Sequence, residues 1–405
     1  MPYPRSALIS LDATPWYHVI SRCVRRAFLC GEDRATGRNF EHRRGWIVER
    51  MEQLAGVFAV DVAAYAVMSN HFHQVVRVDA ERAQAWSDDE VLRRWTKLYT
   101  GPELVQQYLR DGGQGMVSAQ LEAVQGWAET YRARLGDLSW YMRVLNESIS
   151  RMANAEDGVT GRFWEGRFKS HALLDEAAVL TAMAYVDLNP IRARLATVPE
   201  DSAFTSIAER LQTGDATEDG AAVSAVESAG GDGAIPATDD TPAGVAAQPF
   251  GRRAFRAPEA LETTSNGTAR AADMPPSAAA EPLSTHPLEA RLNALPRAPL
   301  MPFDATGRMA AAIPFAFVDY LELVDTTGRV IREDKRGYIP GETPQILERL
   351  NIDPEQFIAT AARMLDLFST AIGTPEHLTA HCVARNVAFL RGMGAARALF
   401  ERKAA

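Results

Sequence analysis

From Ala64 to Val78 the chain is apolar and β-branched, and it breaks once, at Ser69-Asn70. Its period-two alternation predicts a strand, a turn and a second strand. That pairing sorts side chains by parity. His71 and His73 share one face of the second strand, while Phe72 points the other way, towards a core. Two imidazoles on one face, two residues apart, can grip one divalent metal together. A strand whose histidines satisfy backbone partners or sit at a sheet edge shows the same pattern, so the pair alone leaves both readings open.

The surrounding segments predict what encloses this pair. Trp16 to Arg22 is rich in β-branched and aromatic residues and predicts a first strand, with Arg22, Arg25 and Arg26 forming a basic cluster at its end. Trp46, Ile47, Met51 and Leu54 fall at helical spacing. Strand, helix, strand, strand is the order of a small α+β sheet with helices on one face. Residues 82–137 carry helical periodicity over Asp88–Leu98 and Ser118–Leu135, separated by the glycine-rich Asp111–Gly115, and predict a helical insertion. A helix from Leu138 to about Ala155 ends before Gly158. Another runs from Glu176 to Val186 and stops at Asn189-Pro190, because proline prevents simple continuation. Tyr185 reads there as part of a structural helix end.

Between the last two helices, Arg162 to Lys169 alternates cations with rings. Such a run can line a nucleic-acid groove, holding phosphates with Arg162, Arg167 and Lys169 and stacking bases on Trp164 or Phe168. It equally describes an amphipathic strand with solvated charges.

Composition changes sharply after Leu211. From Gly214 to His286 the only aromatic rings of Phe, Tyr or Trp are Phe250 and Phe255, and small and polar residues dominate. Such a segment cannot bury enough apolar surface to offset its ordering entropy, so residues 212–298 read as a disordered linker with a basic island at Arg252, Arg253 and Arg256. Residues 299–405 read as a helical C-terminal domain. The net charge of −9 argues against a uniformly basic nucleic-acid coat, though it averages over segments that differ. Cys23, Cys30 and Cys382 lack the pairing of a zinc site and read as free thiols in a reducing compartment. With no signal pattern and no long apolar run, the expectation is a cytoplasmic protein without a membrane span.

Four stretches occur in a fixed order: Tyr17–Arg22, Ala66–His73, Gly161–Ser170 and Tyr185–Ala193. This set resembles the single-tyrosine HUH transposases of the insertion-sequence-200 type, in the branch associated with repetitive extragenic palindromes. The resemblance spans roughly residues 14–210, interrupted by the helical insertion. It implies a ferredoxin-like antiparallel sheet over 14–211, single-stranded or hairpin DNA as partner, Arg22, Arg162, Trp164, Arg167 and Lys169 on the DNA surface, and a homodimer. It also implies that His71 and His73 hold Mg²⁺ or Mn²⁺, completed by an amide that an ungapped register places at Asn154. The family's tyrosine attacks phosphorus to give a covalent 5′-phosphotyrosine link, the step that underlies DNA transposition. In the same register that tyrosine falls on Ile149, which cannot attack. Tyr141 lies eight residues earlier, about 12 Å along the axis. Ser148 and Ser150 flank Ile149 without a visible base, and Tyr108 and Tyr131 lie in the insertion. Three functions therefore stand side by side: an active transposase, a catalytically silent DNA-binding regulator, and a metal-dependent nuclease using water.

Overall fold

β-Branched and aromatic residues at alternate positions build three strands, β1 (Trp16–Arg22), β2 (Val60–Val67) and β3 (His71–Val78). In the computed structural model, residues 4–5, 8–24, 29–32, 37–213, 286–332 and 345–400 are described. Arg25, Arg26, the basic island at Arg252, Arg253 and Arg256, and most of the linker read over 212–298 lie outside the described residues. All the described residues belong to one compact unit made from Met1–Asp219 and Ser284–Ala405.

β3 pairs antiparallel with β2 on one side and β1 on the other, and β1 pairs antiparallel with β4 (Lys169–Leu173). The turn at Ser69-Asn70 is closed by Met68 N–H donating to the His71 carbonyl at 2.9 Å. A fifth strand, β5 (Ala371–Ile372), then runs parallel to β4, so the order is β2-β3-β1-β4-β5 and the sheet is mixed. The four strands within residues 14–211 pair antiparallel throughout, and the parallel pairing comes from a strand outside that span. A C-terminal segment returns to the β4 edge, where Ala172 N–H and Leu174 N–H donate to the carbonyls of Thr370 and Ile372, both at 2.9 Å. The opposite edge is blunted too, since Met301 N–H donates to the Val62 carbonyl at 2.8 Å.

Helices cover both faces rather than one. Helix α1 (His42–Ala55) lies beside the helix Leu138–Glu156, with Arg50 Nε donating to Ser148 Oγ at 3.1 Å. Between them in sequence come α2 (Ala80–Ala85), α3 (Asp88–Thr96), α4 (Glu103–Asp111) and α5 (Ser118–Leu135), so Leu138–Glu156 is α6. These are the helices of the expected insertion. Trp95 of α3 stacks on Tyr131 of α5 at 4.7 Å and meets Trp140 of α6 edge-on, which fastens the insertion to the domain. Helix α6 covers the sheet face opposite His71 and His73. Its Tyr141 hydroxyl donates to Gln74 Oε1 at 3.0 Å and its Asn146 amide donates to Ser21 Oγ at 2.9 Å, and both partners point away from the histidines.

The histidine face is covered by α7 (Glu176–Asp187), capped by Asp175 Oδ1 accepting from Ala178 N–H at 2.8 Å. Every residue from Ala177 to Asp187 is buried, because the helix is apolar all round and packs on the sheet below and on C-terminal helices above. Pro190 sits in the first turn of the short α8 (Asn189–Arg192), and α9 (Ser206–Thr213) follows.

When the described chain resumes, α10 (Pro287–Asn293) buries Leu288 and Leu292 and pairs Glu289 with Arg50 at 3.1 Å. The end of the expected linker is thus helical and packed. Then come α11 (Phe317–Arg332), α12 (Gln345–Arg349), α13 (Pro354–Leu367), α14 (Pro375–Ala384) and α15 (Met393–Phe400). They share the unit of the sheet rather than standing apart from it. Among the described residues no helix is long and apolar enough to cross a membrane. Cys23, Cys30 and Cys382 are not joined in a disulfide.

Candidate functional site

Strand register decides which side chains meet. Arg22 lies across from His71, Ile20 from both His73 and Lys169, and His18 from His171. Directly opposed residues share a face, so one face of the sheet carries His18, His71, His73 and His171 together.

The rings form a continuous cluster. His18 and His73 stack with centroids 5.1 Å apart, His18 and His171 at 5.4 Å, and His71 meets His73 edge-on at 4.8 Å. His18 Nε2 and His73 Nδ1 share a proton across 2.9 Å. His71 Nδ1 lies 2.6 Å from the Asn70 side-chain oxygen, which can only accept, so Nδ1 carries the proton and Nε2 keeps its lone pair. When His73 donates to His18, His73 Nε2 keeps its lone pair as well. That nitrogen is buried and has no hydrogen-bond partner.

All four imidazoles are held neutral. Burial pushes His71 down to about 4, with Arg22 and Arg192 adding to the effect. His171 is also pushed down to about 4, by burial and then by Lys169. Burial lowers His18 and His73 in the same direction, reinforced by the neighbouring rings and by Arg192. Neutral imidazole is the metal-binding form. Among the described residues, however, no group of three or more His, Cys, Asp or Glu side chains is arranged to hold a metal ion. The protein offers two imidazole nitrogens, and further ligands would have to come from amides, water or a phosphate.

His71, His73 and His171 open onto a cavity of about 540 Å³. Among the described residues its walls carry the cations Arg22, Arg167, Lys169 and Arg391 and the carboxylate Glu165, which lies 4.0 Å from Arg22. An anion is the complementary occupant.

The residues expected from the sequence divide sharply. Arg22, Arg167 and Lys169 line the cavity with the two histidines. Arg162 does not, because its guanidinium donates to the carbonyls of Trp164, at 2.8 Å, and Glu165, and so braces its own loop. Trp164 donates its ring N–H to the Asn146 carbonyl at 2.7 Å and packs edge-on against Phe72 and Phe163, which commits the ring to the core. Asn154 is on α6 and donates to the Gly161 carbonyl at 3.0 Å. Ile149 is fully buried on the same helix, and Tyr141 is fully buried with its hydroxyl ionisation pushed up by burial. The structure therefore does not bring Asn154, Ile149 or Tyr141 to the histidine face.

It brings Tyr185 instead. The Tyr185 ring meets His73 at 5.7 Å and His18 at 5.8 Å, both edge-on, and the Arg192 guanidinium lies 4.0 Å over it. Asn189, one turn further on, accepts from Arg192 through its side-chain oxygen, while its buried amide nitrogen has no partner. The sequence reading missed these residues and His18, yet a signal was present. Tyr185 and Asn189 are four apart and so share one side of a helical turn, and His18 alternates with Ile20 and Arg22 on β1.

No protein-family model matches the chain. No curated protein matches it. Among solved structures, a REP-associated tyrosine transposase bound to a REP hairpin is similar at 12% identity, over 53% of this chain and 87% of that one, with a TM-score of 0.28.

Proposed function

We propose that this chain is a transposase-like protein that binds single-stranded or hairpin DNA at the histidine cavity and cleaves and rejoins it through a phosphotyrosine intermediate. The observation that carries the reading is the juxtaposition of neutral His71 and His73, a cationic cavity and the Tyr185 ring against His73. The antiparallel order β2-β3-β1-β4 and the ordered motifs of the resemblance support it.

The donor set fits a divalent cation: two neutral imidazoles, each with its Nδ1 hydrogen-bonded and its Nε2 lone pair to offer. His71 and His73 would hold Mg²⁺ or Mn²⁺, which when bound draws charge off the phosphate. Arg22, Arg167 and Lys169 bind and orient the backbone. Tyr185 is the nucleophile in place of the position occupied by Ile149. Its oxygen forms a bond to phosphorus, the bond from phosphorus to the 3′ oxygen breaks, and the phenolic proton leaves as the 3′ oxygen gains one. Attack by a free 3′ hydroxyl reverses the step and reseals the strand.

One observation favours a second reading, a silent DNA-binding regulator. Tyr185 is only 5% exposed, sits under Arg192 and is not part of the cavity wall.

The deciding experiment incubates the protein with a labelled DNA hairpin and Mn²⁺ and looks for a covalent adduct in denaturing gels, mapped by mass spectrometry. An adduct on Tyr185 that is lost in Tyr185→Phe supports the transposase reading. Binding with no adduct supports the regulator, and cleavage leaving a free 5′ phosphate without adduct supports a nuclease. An adduct on Tyr141 would overturn the assignment of Tyr185.

A further inference from the structure

Part of the cavity wall comes from outside the span of the family resemblance. Leu365, Phe368, Ser369 and Arg391 line it together with His71, His73 and Lys169. Three connected features bring them there. β5 pairs parallel with β4, the strand carrying Lys169 and His171. Thr374 N–H donates to Asp175 Oδ2 at 2.7 Å, tying the end of β5 to the cap of α7. Ser369 N–H and its hydroxyl both lie 3.2 Å from the Arg391 carbonyl, which closes the loop between α14 and α15 onto the end of α13.

Arg391 is held in place on that loop. Its Nη2 donates to the carbonyls of Leu365 at 3.2 Å and Phe368 at 2.9 Å. Those bonds go to neutral carbonyl acceptors. Both bonds are made by Nη2, which fixes the plane of the guanidinium. A planar, orientated fork is suited to a phosphate oxygen pair.

We propose that Arg391 is a phosphate-binding residue of the histidine cavity, so that the C-terminal segment supplies one side of the nucleic-acid site. This rests on the DNA-binding reading above. The strand's phosphates run between Arg22, Arg167 and Lys169 on the sheet side and Arg391 on the other. The other role open to Arg391 is purely structural, a cation satisfying the last carbonyls of α13.

The test measures binding of a fluorescent oligothymidylate single strand to the full chain by anisotropy over a range of salt. Each phosphate contact on a single strand contributes about 0.7 to the slope of log affinity against log salt. Arg391→Gln and Arg391→Lys both disturb the contacts to Leu365 and Phe368, but only the first removes charge. The expected result is a slope lower by about 0.7 and a raised Kd for Arg391→Gln, with the wild-type slope kept in Arg391→Lys. Equal slopes in the two variants, whether unchanged or both reduced, overturn the proposal. Lys169→Gln in the same titration separates the two levels. If it lowers the slope while Arg391→Gln does not, the cavity takes DNA and only the role of Arg391 fails. If the wild type shows no salt-dependent binding, the function proposed above fails and this inference falls with it.

Discussion

Tyr320 donates its hydroxyl proton to Asp187 Oδ2 at 2.5 Å, and both groups are buried. Asp187 ends α7, two residues after Tyr185, and its other oxygen accepts from Ser206 Oγ at 2.6 Å and from Ile207 N–H at 3.1 Å. One carboxyl thus joins α7, α9 and α11. The helix that presents Tyr185 to the histidines is fixed at its end by a residue more than a hundred positions later. Arg192, donating to the Ala362 carbonyl at 2.8 Å, adds a second tie to the same C-terminal helices.

Tyr320→Phe should therefore destabilise the whole unit. It leaves Asp187 Oδ2 without its donor in a buried site, a loss of about 1–3 kcal/mol. Urea unfolding at neutral pH measures it. A variant as stable as the wild type would show that this contact does not hold α7.

His71→Ala and His73→Ala should separate metal binding from folding. His71 is half-buried at the cavity, whereas His73 is 1% exposed inside the ring stack. Both changes remove a proposed ligand, so Mn²⁺ affinity measured by calorimetry should collapse in each. Only His73→Ala should also lower stability, by roughly 1–3 kcal/mol, because it leaves a cavity and an unpaired His18 nitrogen. Full Mn²⁺ affinity in both variants would remove the pair as the metal site.

Acid should destabilise the metal-free protein in a defined window. His171 is held near 4 by burial and by Lys169, well below the ordinary imidazole value of about 6.5. Between those values the unfolded chain binds a proton that the folded one does not, so stability falls as pH drops from about 6.5 through 4. At one pKa unit per roughly 1.4 kcal/mol, this ring contributes on the order of 3 kcal/mol across the window. His171→Gln should flatten that part of the stability profile. Parallel profiles for variant and wild type would show that His171 titrates normally.

Much of the histidine face could be read in advance because strand parity is a local property. Once Ala64 to Val78 forms a hairpin, His71 and His73 must share a face and Phe72 must point to the core. Helical periodicity carries no equivalent information about which sheet face a helix covers. That is why Asn154 and Ile149, placed by counting along α6, end up across the sheet from the histidines. The C-terminal return was harder still, since β5 is two residues long and its partner lies about two hundred positions away. The one local hint was α7 itself, apolar on every side from Ala177 to Val186, which requires a second layer above it.

The corner that carries Arg391 depends on the glycine beside it. Gly392 has φ +125°, a conformation that L side chains rarely adopt, and a Cβ there would lie 2.6 Å from Phe368 Cδ1 and 3.3 Å from Phe368 Cα. Phe368 is itself 1% exposed and cannot swing away into solvent. Gly392→Ala should therefore strain the backbone and push the loop off the end of α13, at a cost of about 1–3 kcal/mol. The bonds from Arg391 to Leu365 and Phe368 would be displaced with it, so DNA affinity should weaken along with stability. Paired thermal melts and anisotropy titrations check both effects. A Gly392→Ala protein with the melting temperature and DNA affinity of the wild type would show that the corner is pliable and that Arg391 is not held in place.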